Sequence, residues 1–401
     1  MQFLFAEHSL DTDRRELRHA NTLVSVEPQV FDLLLYLIEN RERVVSKDDL
    51  IGSVWRGRVV SDSTLTSRIT AARKAVGDTG ERQDLIRTVA RKGLRFVGEV
   101  SEQTSSAAAK PPMAPLQPFI PPPPRHEVHF CTTSDGVRIG YASVGVGPPL
   151  LKTANWLNHL EYDWQSPVYG PLLHALASDH RLVRYDGRGN GLSDWDVQDF
   201  SLEAFVRDLE TVVETTRLER FSLLGISQGC AVSIAYAVRH PARVSHLVLY
   251  GSFARGRKKR GSPAEDQGSD AMVTLMRQGW GKENPAFRQL FTSLFIPGGT
   301  PEQMQWWNDL QRITTSPDNA ARLREVVDQI DVSDLLPQLS VPTLVLHCRD
   351  DAVQPFEEGR RLAAAIPGAR FVALEGRNHV PLQGEPAWDR LLAEIQDFIR
   401  T

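Results

Sequence analysis

A serine in a glycine-flanked turn lies near the middle of the chain. The segment FSLLGISQGC places Ser227 between two glycines, directly after an apolar run and before the small residues of a predicted helix. A serine hydroxyl is a poor nucleophile unless a base takes its proton and an acid orients that base. Two aspartates, Asp350 and Asp351, follow the apolar run PTLVLHC, and His379 follows the run ARFVALEG. These residue types predict nucleophilic attack on a carbonyl group.

Those side chains must be positioned by the elements that precede them. Between residues 127 and 401, apolar strand-like runs alternate with segments of helical periodicity; the runs are VRIGYASVG, PPLLKTA, HRLVRYD, FSLLGIS, VSHLVLYG, PTLVLHC and ARFVALEG. This alternation predicts a largely parallel sheet with helices on both faces. In such a sheet the serine, the aspartates and the histidine each lie in a loop that follows a strand.

Residues 127–401 resemble the α/β-hydrolase superfamily. The resemblance rests on G-x-S-x-G between a strand and a helix, on the order serine, acid, histidine, and on the segment RYDGRGNGLSD. It implies that Ser227 is the nucleophile, His379 the general base and Asp351 the acid. Asp350 is the alternative acid. The family's spacing between the aspartate and a Val-Pro-like end favours Asp351, which begins the segment DAVQP.

The same resemblance implies two backbone N–H donors for the oxygen of a tetrahedral intermediate. One is the N–H of Gln228, which follows the nucleophile, and the second is assigned to Trp156 in the loop after PPLLKTA. Asn155 and Trp156 replace the usual His-Gly pair, so we expect Asn155 to tolerate the left-handed backbone that glycine normally supplies. His347 lies inside a strand and is expected in the core or behind the site. Structural rather than catalytic roles are expected for Asp186, Arg188 and Ser193.

Residues 254–337 interrupt the alternation and take the place of a helical cap. The cap segment is rich in large adaptable apolar side chains, namely Met272, Met276, Trp280, Phe287, Phe291, Phe295, Met304, Trp306 and Trp307. Some of these are expected to line a pocket over Ser227, which favours an apolar or aromatic small ligand over a sugar or a polyanion. The basic run ARGRKKRG that opens the cap is expected to be a mobile solvated loop, with a supplementary DNA contact as the alternative.

The first 100 residues predict three helices followed by a hairpin. Apolar residues recur with helical spacing in PQVFDLLLYLIENRER, and Ser46 can cap a second, shorter helix. A third helix, within SDSTLTSRITAARKAVGD, is expected to end at Gly77. Its predicted buried stripe consists of Leu65, Ile69, Ala72 and Val76. The segment LIRTVARKGLRFVGEV alternates and turns at Lys92-Gly93, which indicates a β-hairpin.

This order of elements resembles the OmpR/PhoB-type winged-helix domain, especially that of CadC-like regulators. The resemblance rests on VFDLLLYLIENRERVVSKDDLIGSVW, STLTSRITAARKAVGD and LIRTVARKGLRFV. It implies that the third helix enters the major groove of double-stranded DNA while the hairpin touches the backbone. The candidate DNA contacts are Ser63, Thr66, Arg68, Thr70, Arg73, Lys74 and Arg91. An ordinary solvated helix face is the alternative for each of them.

Charge and composition agree with two different domains. The net charge is -4, yet the stretch from Arg56 to Arg95 holds ten basic residues against four acidic ones, which predicts a local basic face. The Pro- and Ala-rich residues 101–126 predict a linker that joins neither helix nor sheet, between domains at 1–100 and 127–401. Three well-separated cysteines, no P-loop motif and no apolar run of roughly 20 residues predict no metal, no cofactor and no membrane span. A cytoplasmic protein is expected.

Together the two domains predict a one-component transcriptional regulator. Its hydrolase domain would bind, and hydrolyse, a small apolar ester, lactone or related carbonyl signal and so control the winged helix. A homodimer is expected because a single winged helix binds DNA weakly. Two alternatives stay open: a hydrolase-fold receptor without turnover, and an esterase whose N-terminal domain is an interaction module.

Overall fold

The computed structural model describes residues 2–12, 15–20, 22–24, 26, 28–54, 62–79, 81–89, 92–103, 126–282, 284 and 286–400, without the side chains of 28, 48, 62–64, 102 and 103. The chain divides into two units, residues 1–119 and 120–401. Most of the predicted linker, from residue 104 to residue 125, lies outside the described residues.

The N-terminal unit combines a small sheet, three helices and a hairpin. In chain order its elements are β1 (Gln2–Phe5), β2 (His8–Asp11), β3 (Glu16–His19), β4 (Thr22–Val24), α1 (Pro28–Glu39), α2 (Lys47–Val54), α3 (Asp62–Ala75), β5 (Ile86–Val89), β6 (Gly93–Phe96) and β7 (Ser101–Gln103). An antiparallel sheet has the order β4-β3-β2-β1-β7, and β5 pairs with β6. The helices and the hairpin agree with the prediction. The four strands within residues 2–24 do not appear in it, because each is only three or four residues long.

The start of the linker differs from the prediction. Residues 101–103 form β7, which pairs antiparallel with β1 and places Gln103 opposite Gln2. The first proline of the linker stretch is Pro111. Residues 101–103 therefore keep the backbone N–H groups that a sheet needs, and the prediction that they join neither helix nor sheet is wrong.

Local capping explains where the middle and last helices of this unit begin and end. The Asp49 N–H donates to Ser46 Oγ at 3.0 Å and the Ser46 N–H donates to Asp49 Oδ2 at 3.1 Å, so each residue satisfies a free donor of the other at the start of α2. Gly77 follows α3 with a φ of 68°, the left-handed conformation that terminates many helices. Leu65, Ala72 and Val76 of the predicted stripe are buried.

The C-terminal unit is built on an eight-stranded sheet. Its strands and helices are β8 (Val128–Thr132), β9 (Arg138–Val144), β10 (Pro149–Lys152), α4 (Leu160–Trp164), α5 (Gly170–Asp179), β11 (Arg181–Tyr185), α6 (Leu202–Thr215), β12 (Phe221–Ile226), α7 (Gly229–Arg239), β13 (Val244–Tyr250), α8 (Pro263–Gly279), α9 (Ala286–Phe295), α10 (Pro301–Thr314), α11 (Pro317–Gln329), β14 (Thr343–Cys348), α12 (Phe356–Ala365), β15 (Arg370–Leu374) and α13 (Pro386–Ile399). The sheet order is β15-β14-β13-β12-β10-β11-β9-β8. Strand β9 pairs antiparallel with both β8 and β11, and the other neighbouring strands of this sheet pair parallel.

Helices cover both faces of this sheet, as predicted. Successive residues of a strand point to opposite faces. Accordingly Leu223 and Leu224 of β12 belong to different buried clusters, one on each side of the sheet. Four helices, α8 to α11, are inserted between β13 and β14 and form the cap. In the described residues, no helix has both the length and the apolar character that crossing a bilayer requires.

Candidate functional sites

Three loops at one edge of the large sheet carry the predicted nucleophile, acid and base. Ser227 follows β12, Asp351 follows β14 and His379 follows β15. Neighbouring strands from β12 to β15 all pair parallel, so their carboxyl ends lie at the same edge. Side chains separated by more than a hundred residues in the chain therefore meet there.

The turn at Ser227 has a strained backbone that its neighbours stabilise. Ser227 has a φ of 53°, which a non-glycine residue rarely adopts. Its N–H donates to Tyr250 O at 2.9 Å. A Cβ on Gly225 would lie 2.8 Å from Cys230 Cα, and one on Gly229 would lie 2.8 Å from Ala154 O. The two glycines are needed for close packing, while the serine itself takes the left-handed conformation.

A continuous chain of hydrogen bonds links the three predicted residues. Ser227 Oγ lies 2.8 Å from His379 Nε2, and His379 Nδ1 lies 2.6 Å from Asp351 Oδ2. An ionised carboxylate can only accept, so Nδ1 carries the proton and Nε2 is free to accept from the serine hydroxyl. His379 is buried and Ser227 is half-buried. The arrangement can move a proton from Ser227 to His379.

Asp351 is held as an acceptor by its own loop. Its Oδ1 accepts from the Val353 N–H at 2.8 Å and from the Gln354 N–H at 3.0 Å. Burial of the carboxyl opposes ionisation, but His379 and these backbone donors outweigh it and hold the pKa of Asp351 below its usual range. The alternative acid, Asp350, is exposed, whereas Asp351 is buried and lies within hydrogen-bond distance of His379. The geometry thus favours the expected choice between the two aspartates.

Two further residues, Gly251 and His347, lie next to this chain of hydrogen bonds, and only the position of His347 was expected from the sequence. Gly251 has a φ of 58°, and a Cβ there would lie 3.0 Å from the His379 ring, so glycine leaves room for the imidazole. His347 is fully buried, as expected. Its Nε2 lies 3.0 Å from Gln354 O and 3.7 Å from Asp351 Oδ2. Burial lowers the pKa of His347, so this ring packs behind the acid in its neutral form. Gly251 directly follows the apolar run VSHLVLY, and a glycine at the end of a strand was the signal in the sequence for its close approach to His379.

Two arginines of the basic run that opens the cap pack against the rest of the unit instead of lying in solvent. Arg257 Nη2 donates to Val353 O at 2.9 Å, and Arg260 Nη2 donates to Gln354 Oε1 at 2.6 Å. Burial lowers the pKa of Arg257 to about 10, which leaves the guanidinium charged at neutral pH. Both arginines therefore contact the loop that holds Asp351. The expectation of a solvated segment is wrong for them because the acid loop supplies buried acceptors.

The two residues assigned to oxyanion binding line one small cavity. Gln228 begins α7, Trp156 lies in the loop after β10, and both line a cavity of about 20 Å³ together with Asn155. Asn155 Nδ2 donates to Trp156 O at 3.1 Å. The expectation that Asn155 adopts the left-handed conformation is wrong, because the residue with a positive φ in this loop is Leu157, at 62°. Leu157 is fully buried, and its packing holds the strained backbone in place.

An aromatic cluster from the cap packs over this edge. The Trp156 ring lies 5.7 Å from the Trp280 ring, 5.9 Å from Phe291 and 5.7 Å from Phe295. Phe295 also meets the His379 ring edge-on at 5.4 Å, and its carbonyl accepts from the His379 N–H at 2.8 Å. Cap residues therefore contact both the base and the oxyanion loop directly. A small apolar or aromatic group is compatible with these surroundings.

The segment RYDGRGNGLSD has the structural contacts expected of it. Asp186 accepts from the Leu192 N–H at 2.8 Å, and Ser193 Oγ donates to Asp186 O at 2.6 Å. Arg188 Nη2 donates to Asp208 Oδ1 at 2.7 Å within a buried ion pair. No cluster of three or more His, Cys, Asp or Glu side chains suited to a metal ion occurs in the part of the chain that is described.

The predicted DNA-contacting residues of α3 fall on different faces. Thr66, Thr70 and Lys74 are exposed and Arg68 is half-buried. Arg73 is buried: its Nε and Nη2 donate to Ile86 O at 3.2 and 3.0 Å, and Nη2 also donates to Thr88 Oγ1. The expectation that Arg73 lies on the exposed face is therefore wrong.

Helical periodicity explains the position of Arg73, which lies four and eight residues after Ile69 and Leu65 of the buried stripe. It was available in the sequence as a signal against an exposed arginine. The side chain of Ser63 and the whole of Arg91 lie outside the described residues.

Comparison with known proteins assigns both units. Residues 160–386 match the model of the alpha/beta hydrolase fold, and residues 21–96 match that of the C-terminal domain of transcriptional regulatory proteins. The AB hydrolase superfamily protein YisY of Bacillus subtilis is 28% identical over 63% of this chain and 92% of its own. The pimeloyl-[acyl-carrier protein] methyl ester esterase of Nitrosomonas europaea is 27% identical over 61% of this chain and 93% of its own.

Solved structures show the same fold for the C-terminal unit. An esterase from Exiguobacterium antarcticum superposes with a TM-score of 0.58 at 22% identity, covering 68% of this chain and 99% of the esterase. At this identity the likeness concerns the fold alone. With the two family matches and the parallel sheet in agreement, the chain belongs to the α/β-hydrolase fold family and carries an N-terminal winged-helix domain of the OmpR/PhoB type.

Proposed function

We propose that this protein is a one-component transcriptional regulator whose hydrolase domain, residues 127–401, binds and hydrolyses a small apolar ester, lactone or related carbonyl compound. The domain at residues 1–100 would bind double-stranded DNA under the control of that compound. One observation carries the enzymatic part: the hydrogen-bonded chain from Ser227 through His379 to Asp351. The esterase among the relatives supports the same reaction class.

The proposed reaction follows from the positions of the donors and acceptors. Ser227 Oγ attacks the carbonyl carbon while His379 Nε2 takes the hydroxyl proton, and Asp351 stabilises the resulting imidazolium. The N–H groups of Gln228 and Trp156 hold the oxygen that becomes negative. The carbon–oxygen bond to the leaving group then breaks, and His379 returns its proton to the departing alcohol.

Water completes the cycle. With His379 again as base, a water molecule attacks the acyl carbon and its proton moves to Nε2. The bond between the acyl carbon and Ser227 Oγ then breaks, Nε2 returns the proton to Oγ, and the carboxylic acid leaves. The aromatic side chains around Trp156 and Phe295 favour apolar acyl or alkyl groups. Hydrolysis would remove the signal and return the regulator to its resting state.

Control of DNA binding requires an energetic difference between two states. A ligand shifts DNA affinity only if it binds the DNA-competent and DNA-incompetent forms with different affinity. We also propose a homodimer, because two winged helices on neighbouring half-sites bind more tightly than one. Light scattering of the intact chain measures this stoichiometry directly.

The test combines hydrolysis with DNA binding on the intact protein. We expect wild type to hydrolyse p-nitrophenyl acetate and butyrate, and Ser227→Ala to lose at least about 1,000-fold in kcat/KM because the nucleophile is gone. Ser227→Ala is expected to keep the salt-dependent shift of the protein's own upstream DNA. Absence of hydrolysis, with a DNA shift that still responds to an added ester or lactone, would favour a receptor without turnover. Absence of any specific DNA shift would leave an esterase with an interaction module.

A further inference from the structure

A buried lysine lies next to the oxyanion loop and has no role in the reaction as proposed above. Lys152 is the last residue of β10 and is only 6% exposed. A lysine is rarely buried unless its charge is compensated or used. Its Nζ donates to Asn155 Oδ1 at 2.5 Å and to Thr153 O at 3.4 Å. Both of these direct acceptors are neutral oxygens.

The titratable groups that act on Lys152 come from the elements packed around it. The charged ones are Asp163 of α4, Arg184 of β11 and Asp186 after β11, and the Cys230 thiol of α7 lies beside them. Among the described residues, the hydrogen-bond partners of Lys152 Nζ are these two neutral oxygens and include no carboxylate, and Asp163 Oδ1 has no hydrogen-bond partner. The positive charge is therefore balanced only at longer range and is not neutralised by a contacting carboxylate.

The direct partners of Lys152 lead to the proposed oxyanion donors. Asn155 accepts from Lys152 and, through Nδ2, donates to Trp156 O at 3.1 Å. The same loop packs on the start of α7, where Gly229 leaves room for Ala154 O. Gln228, the other proposed donor residue, immediately precedes that glycine. Lys152 is thus joined through Asn155 to the loop of one proposed donor residue, and that loop packs against the turn that carries the other.

We propose that Lys152 is a positioning residue for the hydrolase reaction: through Asn155 it fixes the oxyanion loop and adds a positive charge beside the tetrahedral intermediate. This inference rests on the proposed function, because it assigns a role in the same reaction. Charge that is fixed in place and shielded from water stabilises a developing oxyanion more than it stabilises the neutral substrate. Lys152 therefore acts on kcat and leaves KM nearly unchanged.

The pH dependence follows from the buried position. Burial lowers the pKa of Lys152 to about 8, so its charge is present below that pH and is lost as the pH rises through it. We expect kcat to fall on the alkaline side over the same range. Burial also raises the pKa of Asp186 to about 8 and that of Asp163 to about 6. A variant that removes only Lys152 is therefore needed to distinguish the effect of its titration on kcat from the effect of the titration of Asp186.

The experiment compares Lys152→Met with wild type in the hydrolysis of p-nitrophenyl acetate. We expect roughly a 10- to 100-fold lower kcat, a KM within about twofold, and no alkaline fall in kcat near pH 8. Lys282→Met removes an exposed lysine of the same unit and is expected to match wild type in all three respects. Background hydrolysis is measured with Ser227→Ala at each pH.

A second variant keeps the lysine and changes its surroundings. Asp163 raises the pKa of Lys152, so Asp163→Asn is expected to move the alkaline fall in kcat to lower pH while activity near pH 6 is retained. Lys152→Gln replaces Lys152→Met if the latter fails to fold. Unchanged kcat and an unchanged alkaline fall in the folded lysine variant would overturn the inference.

Failure of the inference and failure of the proposed function give different results. If wild type neither hydrolyses the ester nor reacts with a fluorophosphonate at Ser227, the proposed function fails and the inference fails with it. If wild type is labelled without turnover, the labelling rate replaces kcat as the measurement. Equal rates for wild type and Lys152→Met would then overturn the inference alone.

Discussion

The hydrolase site and the exposed face of α3 organise their polar residues in opposite ways. At the site, three residues far apart in the chain meet within hydrogen-bond distance: Ser227, His379 and Asp351. On α3, two residues adjacent in the chain separate, since Arg73 turns inward to Ile86 O while Lys74 faces solvent. Distance along the chain is therefore a poor guide to shared function in either region.

The comparison shows where each kind of function can be recognised. In a site assembled from loops, each residue contacts the next, so the arrangement itself indicates the chemistry. On a helix that binds DNA, the functional side chains meet the partner and not each other, and only exposure selects them. Variants at paired neighbouring positions test both halves of this contrast.

The largest effect is expected at the acid. Asp351→Asn removes the charge that orients His379 and stabilises its cation, and we expect kcat/KM for p-nitrophenyl butyrate to fall by about 1,000-fold or more. Asp350→Asn changes the adjacent exposed residue and is expected to stay within about twofold of wild type. A larger loss of kcat/KM in Asp350→Asn than in Asp351→Asn would mean that Asp350, and not Asp351, is the acid.

A smaller effect is expected from the cap. Arg257→Met removes the donor to Val353 O, which loosens the loop of Asp351, and we expect roughly a 10-fold lower kcat with little change in KM. Lys259→Met removes a nearby positive charge without touching that loop and serves as the control. Steady-state kinetics on both proteins separate positioning of the acid from a general effect of charge; equal behaviour would argue against positioning.

The smallest effects are expected on α3, and they differ in kind. Arg73→Met leaves Ile86 O without its donor and is expected to cost about 1–3 kcal/mol, visible as faster hydrogen exchange in α3 and β5. Lys74→Met is expected to leave exchange unchanged, to weaken DNA binding several-fold, and to reduce the slope of log affinity against log salt by about 1. Faster hydrogen exchange in the Lys74 variant would contradict its expected role on the DNA-facing surface. A reduced salt dependence of DNA binding with normal hydrogen exchange in the Arg73 variant would contradict a structural role for Arg73.

Much of the fold follows from patterns that are local in the sequence. Apolar runs such as FSLLGIS and PTLVLHC form strands of the parallel sheet because they are continuously apolar and are separated by amphipathic helices. The three helices and the hairpin of the N-terminal unit follow from periodicity and capping in the same way. The strands within residues 2–24 were missed because segments of three or four residues give too short a period to recognise.

Other features depend on which surfaces pack together. The buried position of the Arg73 side chain depends on the Ile86 carbonyl of β5, which accepts from it. The position of the Arg257 side chain depends in the same way on the Val353 carbonyl in the loop of Asp351. The left-handed residue of the oxyanion loop is Leu157 and not Asn155, because burial of the leucine holds a conformation that its own preference opposes. None of these contacts is encoded by a neighbour in the chain.

The sequence by itself predicted two domains, the parallel sheet and Ser227 as the candidate nucleophile, because apolar periodicity and glycine spacing act over a few residues. The tertiary structure brought Asp351, and not Asp350, within hydrogen-bond distance of His379, gave Arg73 its carbonyl acceptor and placed Lys152 against Asn155. These outcomes depend on which buried acceptor lies within reach of each charged group. That proximity is created when distant strands and loops pack, so it cannot be derived from the order of residues alone.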